Sequence, residues 1–216
     1  MDIKELVSGF RQVGTASVSD SVDKIVGKAG FLPASIRPRT SDNRIVGPAV
    51  TILESPTTEF LPPKHALDAI DEAEAGSVFV ISTNGQAEIA LWGGLMTAGA
   101  VANKHEAAVL DGGVRDIVEI KKDFSFPVFS RTVSPGTTLG RLKTIASNVE
   151  ILMGSVIVNS GDIIVGDADG VVCVARQYAE EVLQMSREID AREIEQTRLI
   201  FESGSLCEGL AKYDRI

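Results

Sequence analysis

Six residues in the middle of the chain combine an arginine with two carboxylates and two glycines. The run reads Asp111-Gly112-Gly113-Val114-Arg115-Asp116 and directly follows an apolar segment. Glycines let the main chain approach a ligand closely, the Arg115 guanidinium can pair with a carboxylate, and Asp116 offers an oxygen ligand to a hard cation. The run therefore predicts a site that holds a metal and an anion together. A charged turn, in which Arg115 and Asp116 cap a helix and form surface pairs, explains the same spacing.

A second glycine-bearing segment, Gly93-Gly94-Leu95-Met96, precedes a stretch of helical composition. The free N–H groups and the positive dipole end at a helix start form an anion site, which could hold a substrate carboxylate. A plain strand-to-helix turn is the simpler interpretation of two glycines. Both segments follow apolar strands, so we expect them to lie side by side at one edge of a sheet.

The elements that must position these segments alternate between strands and helices. Apolar and β-branched runs predict strands at residues 45–53, 77–82, 107–110 and 126–133, and helical periodicity or composition predicts helices at 66–75, 95–104 and 114–121. This alternation favours βαβ units and a mainly parallel sheet covered by helices, whose ligands bind beyond the carboxyl ends of the strands. Both glycine segments are predicted to be turns at such ends.

The two ends of the chain show other patterns. Two short amphipathic helices are predicted within the first 27 residues. The turn segments 159–162 and 167–170 separate short β-branched runs and predict two hairpins. Residues 178–201 predict one long charged helix, which Gly204 ends.

Composition limits the classes of function. The chain has 216 residues, 44% of them hydrophobic, so one domain spanning 1–216 is expected. The net charge of -9 argues against nucleic acid as a partner. The two cysteines do not have the spacing of a metal site. The sequence shows neither a signal sequence nor an apolar stretch long enough to cross a membrane, so we expect a cytoplasmic protein that does not bind a membrane. His65 and His105 lack catalytic neighbours at a motif spacing and are expected at the surface.

Taken together, the two glycine-bearing segments resemble the RraA-like family, which includes the 4-hydroxy-4-methyl-2-oxoglutarate aldolases. The resemblance rests on Gly93-Gly94-Leu95-Met96 and on the run from Val109 to Asp116. Stretches at residues 15–20, 47–51, 159–162 and 169–172 support it, so it covers nearly the whole chain.

This resemblance implies an α/β fold of the swivelling β/β/α type, similar to phosphohistidine domains, with a long C-terminal helix. It also implies a homotrimer, or a hexamer formed by two trimers, with active sites at clefts between subunits. Asp116 would hold Mg²⁺ or Mn²⁺ largely through waters, and Arg115 would contact the pyruvyl part of the substrate. The main chain of Gly93, Gly94, Leu95 and Met96 would bind the substrate carboxylate.

The implied activity is that of a metal-dependent (class II) pyruvate aldolase or oxaloacetate decarboxylase, a carbon–carbon lyase acting on small keto acids. Retro-aldol cleavage beside a keto acid leaves a pyruvate enolate, and so does loss of carbon dioxide from oxaloacetate. A divalent cation and Arg115 can stabilise the negative charge of this enolate. Both reactions therefore need the same site.

The sequence departs from the aldolase pattern at Gly94, where the family's aldolases tend to carry an acid of the proton relay. A carboxylate from the C-terminal helix of the adjacent subunit also belongs to that relay, and its counterpart here is Glu195 or Glu193. If both acids were absent, the metal and Arg115 could still support decarboxylation, with water supplying the proton more slowly. The substitution at Gly94 thus favours decarboxylation over aldol cleavage.

The alternative function is that of a non-enzymatic, protein-binding regulator of ribonuclease activity, because some members of the family bind the RNA-degrading machinery. An acidic surface would suit basic partner segments. A regulator has no chemical need for Arg115 and Asp116, so these residues favour an enzyme.

Overall fold

The computed structural model describes residues 1–83 and 85–213. Its helices are α1 (Ile3–Phe10), α2 (Thr15–Val26), α3 (Lys64–Glu72), α4 (Gly94–Ala102), α5 (Ile117–Glu119), α6 (Ala179–Ser203) and α7 (Leu206–Leu210). Its strands are β1 (Arg37–Pro38), β2 (Ile45–Pro56), β3 (Val78–Ser82), β4 (Ala90–Trp92), β5 (Ala107–Val114), β6 (Val128–Val133), β7 (Leu142–Ser147), β8 (Ile151–Met153), β9 (Val156–Val158), β10 (Ile163–Asp167) and β11 (Gly170–Val174). A π-helical turn, Ile120–Phe124, continues α5.

Nine of these strands form one mixed sheet, whose main path runs β1-β6-β5-β3-β2-β10-β11. Strands β2, β3, β5 and β6 are parallel neighbours, and helices α3, α4 and α5 lie in the connections between them. The predicted alternation of strands and helices around a parallel sheet is therefore confirmed. Antiparallel strands extend both sides of this parallel centre, with β10 and β7 paired to β2, and β1 paired to β6. Strands β8 and β9 form a separate hairpin.

Three apolar clusters hold the layers together. Residues of α3 and α4 pack with Trp92 and Phe126 on one face of the parallel strands. The opposite face packs against the β8–β9 hairpin and β11. A third cluster buries α1, α2 and the first half of α6 against β10 and β11. The parallel strands thus lie between α3 and α4 on one face and further strands on the other, while α1, α2 and α6 cover β10 and β11.

The long C-terminal helix is observed as α6, and Gly204 ends it in the left-handed conformation with φ of 67°. This confirms the prediction of a long helix that stops at Gly204. Helix α6 is tied to the N-terminal helices through Asp190, whose carboxylate accepts hydrogen bonds from the Gly14 main chain and the Ser17 hydroxyl. The bond from Gly14 satisfies a main-chain donor at the start of α2, where the N-cap glycine has no side chain to cap the helix.

Two turn predictions were wrong. Residues 111–113 do not turn, because β5 continues through Gly112 and Gly113 and pairs there with β4 and β6. Residues 159–162 do not close a hairpin, since β9 pairs with β8 whereas β10 pairs with β2 and β11. The predicted hairpin at 167–170 is confirmed between β10 and β11. Within residues 1–83 and 85–213, no helix is long and apolar enough to cross a membrane.

Candidate active site

Arg115 and Asp116 leave the sheet at the carboxyl end of β5. The Arg115 main-chain N–H donates to the Trp92 carbonyl at 3.0 Å, so the chain stays beside β4 after the strand ends. Asp116 then adopts φ of 58°, a left-handed conformation that few residues other than glycine take. Asp116 is thus at the bend between β5 and α5, and this bend directs its carboxylate back towards the start of α4.

The structure brings the two glycine-bearing segments together as expected. Asp116 Oδ2 accepts the N–H of Gly94 at 3.0 Å, and Arg115 Nε lies 3.5 Å from the same oxygen. The parallel pairing of β4 with β5 places both segments at one edge of the sheet. An arginine, a carboxylate and the first turn of a helix therefore form one cluster.

Gly93 is required by this close approach. A Cβ atom at this position would lie 2.7 Å from Asp116 Oδ2 and 2.9 Å from Arg115 Nε. Any side chain here would displace one or both groups. The absence of a side chain at Gly93 therefore allows the two segments to come into contact.

The start of α4 retains free hydrogen-bond donors. Gly94 gives its N–H to Asp116, and the Thr97 N–H donates to the Gly93 carbonyl at 3.0 Å. The N–H groups of Leu95 and Met96 have no acceptor among the described residues. They lie at the positive end of the helix dipole, where a carboxylate is favoured. The predicted carboxylate site is therefore available at Leu95 and Met96, while the Gly94 donor is already used.

A cavity of about 250 Å³ opens beside this cluster, and we call it the Arg115 pocket. It is lined by Pro62, Pro63, Leu67, Ala90, Leu91, Trp92, Gly93, Leu95, Met96, Arg115, Thr137, Thr138 and Leu139. Arg115 is the one charged side chain in this lining among the described residues. The pocket thus has one cationic corner next to free main-chain donors and otherwise mainly apolar walls.

Glu119 is a candidate site residue that the sequence interpretation missed. Its Oε1 and Oε2 atoms lie 2.8 and 3.1 Å from the position that a Cβ atom on Gly94 would occupy. The carboxylate of Glu119 therefore fills the space that a side chain at position 94 would take. Glu119 is the last residue of α5, which begins directly after the bend at Asp116. Its position beside Gly94 depends on this bend, so no local spacing in the sequence indicated it.

The donor set fits a hard divalent cation. Among the described residues no group of three or more His, Cys, Asp or Glu side chains could enclose a metal ion. Magnesium characteristically binds through one or two carboxylates and keeps several waters, with substrate oxygens completing its shell. Asp116 can supply such a carboxylate, because its Oδ2 accepts the Gly94 N–H while its Oδ1 accepts no hydrogen bond from the described residues. The predicted role of Asp116 as metal ligand stays a prediction.

Asp111, the first acid of the central run, faces away from this cluster. Its carboxylate is almost fully buried and forms an ion pair with Arg131 of β6. Arg131 also donates to the Ser35 hydroxyl at 2.8 Å, and the Thr83 hydroxyl donates to the Asp111 carbonyl at 3.1 Å. Asp111 therefore joins β5 to its neighbours and does not line the Arg115 pocket.

Glu195 has no hydrogen bond or ion pair with Arg115 or Asp116 within the described part of the chain. Arg198 holds it through two bonds of 2.8 Å, and these hydrogen bonds lower the pKa of Glu195 to about 2. Glu193 is exposed and has no ionic partner among the described residues. The expectation that one of these acids enters the site of a neighbouring subunit stays a prediction.

Other titratable groups are buried outside the cluster, among them His105 and Glu54. His105 is buried, contrary to the expectation of a surface position: its Nε2 lies 2.8 Å from the Ile70 carbonyl, and its ring meets Phe79 edge-on at 4.9 Å. Its imidazole fills the space between α3 and β3. Glu54 on β2 is 1% exposed, and neither carboxyl oxygen has a hydrogen-bond partner among the described residues. This burial raises the pKa of Glu54 to about 7.

Known proteins are similar to this chain in sequence and in fold. The family model described as Aldolase/RraA, RraA-like, matches residues 15–173. A protein from Halalkalibacterium halodurans named "Putative 4-hydroxy-4-methyl-2-oxoglutarate aldolase" is 31% identical over 202 residues, which are 92% of this chain and 90% of that protein.

Solved structures agree with this match. An uncharacterized protein from Pseudomonas syringae pv. tomato superposes with a TM-score of 0.86 at 29% identity, covering 97% of this chain and 94% of that one. Streptomyces coelicolor RraAS2, described as an unusual member of the RNase ES inhibitor RraA protein family, superposes with a TM-score of 0.81 at 22% identity, covering 90% of this chain and 98% of that one. The swivelling β/β/α fold is thus confirmed, and the chain belongs to the RraA-like family.

Proposed function

We propose that this protein is a divalent-metal-dependent lyase that releases pyruvate from small keto acids. The observation that carries the proposal is the contact of Asp116 and Arg115 with the start of α4, where free N–H groups remain. The substrate carboxylate would accept hydrogen bonds from Leu95 and Met96, and the Arg115 guanidinium would face the keto oxygen. This arrangement stabilises the negative charge that develops on that oxygen in the enolate.

Glu119 supports aldol cleavage as well as decarboxylation. Because its carboxylate occupies the space beside Gly94, the chain retains an acid at the place where the family's aldolases tend to carry one. In retro-aldol cleavage a base accepts the proton of the C4 hydroxyl while the C3–C4 bond breaks. Glu119 is the group in this chain that we assign to that proton. Gly94 therefore no longer argues against aldol cleavage.

Mg²⁺ or Mn²⁺ would be held by Asp116, with waters completing the coordination. When bound, the cation supplies further electrostatic stabilisation of the enolate oxygen. Asp116 itself is oriented by the Gly94 N–H, and its fixed position beside Arg115 sets where the keto oxygen can lie.

The proposal is tested by pyruvate release from oxaloacetate and from 4-hydroxy-2-keto acids, with and without Mg²⁺ or Mn²⁺. We expect Asp116→Ala to lower both activities about a hundredfold or more, since it removes the metal ligand. We expect Glu119→Gln to lower retro-aldol cleavage by about the same factor and decarboxylation much less, because decarboxylation needs no hydroxyl proton removed.

Asp123→Ala is the matched control, because Asp123 is an exposed acid in the following π-helical turn. Its pyruvate release should equal that of the parent. Equal pyruvate release by the parent and Asp116→Ala would contradict a role of Asp116 in the reaction.

We also propose that the active form is a homo-oligomer, a trimer or a hexamer, whose subunits meet near this site. Three large apolar side chains near it are strongly exposed: Leu95 at 89%, Phe60 at 81% and Val118 at 77%. Exposed apolar groups of this size favour an interface with another chain.

Pyruvate release by Glu193→Gln and by Glu195→Gln, each compared with the parent, would identify which acid of the C-terminal helix reaches the neighbouring site. Sedimentation analysis of the parent and of Leu95→Lys tests the interface, since a lysine there should weaken association.

The alternative candidate function is that of a protein-binding regulator of ribonuclease activity. The net charge of -9 suits a partner with basic segments. This function predicts that the purified protein inhibits a ribonuclease preparation and that Asp116→Ala leaves the inhibition unchanged. Inhibition without any pyruvate release would favour the regulator over the enzyme.

A further inference from the structure

Apart from Arg115, the described side chains that line the Arg115 pocket are uncharged. Its apolar walls include Leu67, Leu91, Met96 and Leu139. The polar groups there are Thr137 and Thr138, which are uncharged. A carboxylate transferred from water to such walls without a cationic partner loses hydration that nothing replaces. The pocket is therefore suited to an alkyl group.

The basic side chains next to the pocket are engaged elsewhere. Lys64 follows the two lining prolines but pairs with Asp68 at 2.6 Å, on the exposed face of α3. Arg141 follows the lining loop but donates to the main-chain carbonyls of Thr137 and Leu139, at 3.0 and 3.4 Å. Neither side chain lines the cavity. Arg115 is thus the one cation available to a bound molecule in the described lining, and the proposed function assigns it to the keto acid end of the substrate.

We propose that the natural substrate is a 4-hydroxy-2-keto acid whose arm beyond C4 is apolar, and that this arm lies against Leu67, Leu91 and Leu139. The proposal rests on the proposed lyase function, because that function assigns Arg115 to the keto acid end. In the reaction the C3–C4 bond breaks and the C4 hydroxyl gives its proton to Glu119, so C4 becomes an aldehyde or ketone carbonyl. The electron pair of the broken bond stays on the pyruvate enolate, which takes up one proton at C3.

Binding can be measured without turnover, since Trp92 is the one tryptophan of the chain and lies in the pocket wall. Trp92 fluorescence would be titrated, in the presence of Mg²⁺, with 5-methyl-2-oxohexanoate and with 2-oxoglutarate. These two keto acids differ by the replacement of a terminal carboxylate with an isopropyl group of similar shape. We expect the alkyl compound to bind at least about tenfold more tightly, the factor typical of a well-filled apolar pocket.

Leu139→Arg places a cation in the pocket wall and should reverse this preference. Leu139 is 40% exposed in a loop, so the arginine can be accommodated without disturbing the core. Leu152→Arg is the matched control, because Leu152 is 46% exposed on the separate β8–β9 hairpin. It should keep the parental preference.

The outcomes separate this proposal from the proposed function. Equal or tighter binding of 2-oxoglutarate by the parent would overturn the apolar arm and leave the keto acid site standing. An unchanged preference in Leu139→Arg would overturn the placement of the arm against this wall. Failure of both compounds to bind would overturn the keto acid site itself, and the apolar arm with it.

Discussion

The buried carboxyl of Glu54 predicts an unusual dependence of stability on pH. Glu54 is 1% exposed on β2, opposite Thr144 of β7, and its burial raises its pKa from 4.5 to about 7. Below pH 4.5 both the folded and the unfolded chain hold this proton. Between pH 4.5 and 7 the unfolded chain releases the proton while the folded chain retains it, so the free energy of unfolding falls as the pH rises.

The size of this loss follows from the shift in pKa. A tenfold change in a proton equilibrium is worth about 1.4 kcal/mol, so a rise from 4.5 to about 7 corresponds to about 3 kcal/mol. Glu54→Gln keeps the shape of the side chain and removes its ionisation. We therefore expect the variant to gain about 3 kcal/mol relative to the parent between pH 4 and pH 8.

Urea unfolding of the parent and the variant across this pH range measures the difference directly. Glu74→Gln serves as the matched control, because Glu74 is exposed and should show no comparable change. Taking differences at each pH cancels the titration of all other groups. A difference between Glu54→Gln and the parent that stays constant from pH 4 to pH 8 would refute the reasoning.

Three further variants test other contacts. Gly94→Ala should displace the Glu119 carboxylate, because a Glu119 oxygen lies 2.8 Å from the position of the new Cβ, and should therefore lower retro-aldol turnover as Glu119→Gln does. Its free energy of unfolding should change by less than about 1 kcal/mol, since the displaced group is the exposed end of a flexible side chain. Arg131→Ala leaves the buried Asp111 carboxylate without its cation and should cost roughly 3–5 kcal/mol in urea unfolding, with part recovered on adding Asp111→Asn. Asp190→Ala removes the acceptor for Gly14 and Ser17 at the start of α2 and should cost about 1–2 kcal/mol, seen as a lower Tm than that of Asp190→Asn.

The parallel core of the fold could be predicted because strand and helix patterns are local. The conformation of residues 111–113 could not be predicted, since two adjacent glycines indicate a turn as readily as a close approach between strands. In this protein the glycines allow β4 to lie close to β5, because a Cβ on Gly112 would lie 2.8 Å from the Leu91 side chain and Gly113 pairs with Ala90. The strand therefore continues, and its alternation directs Asp111 to the face opposite the pocket.

The candidate site was predictable to the extent that it is contained in short segments. Arg115, Asp116 and the start of α4 were found from glycines and charges within a few residues of each other. Glu119 was missed because it lies 25 positions from Gly94 in the sequence, and because its place beside Gly94 depends on the bend at Asp116. The partner of Glu195 within the chain, Arg198, is a local contact, whereas a contact with a neighbouring subunit cannot be read from one chain.

We propose above all that Asp116 holds a divalent cation on which pyruvate release depends. The most direct test measures pyruvate release from oxaloacetate against Mn²⁺ concentration, for metal-stripped parent and Asp116→Ala. We expect the parent rate to rise from near zero to a plateau, and the variant to stay at least about a hundredfold lower at the same Mn²⁺ concentrations. A parental rate that is independent of Mn²⁺, or a variant that reaches the parental plateau at the same Mn²⁺ concentration, would contradict the claim.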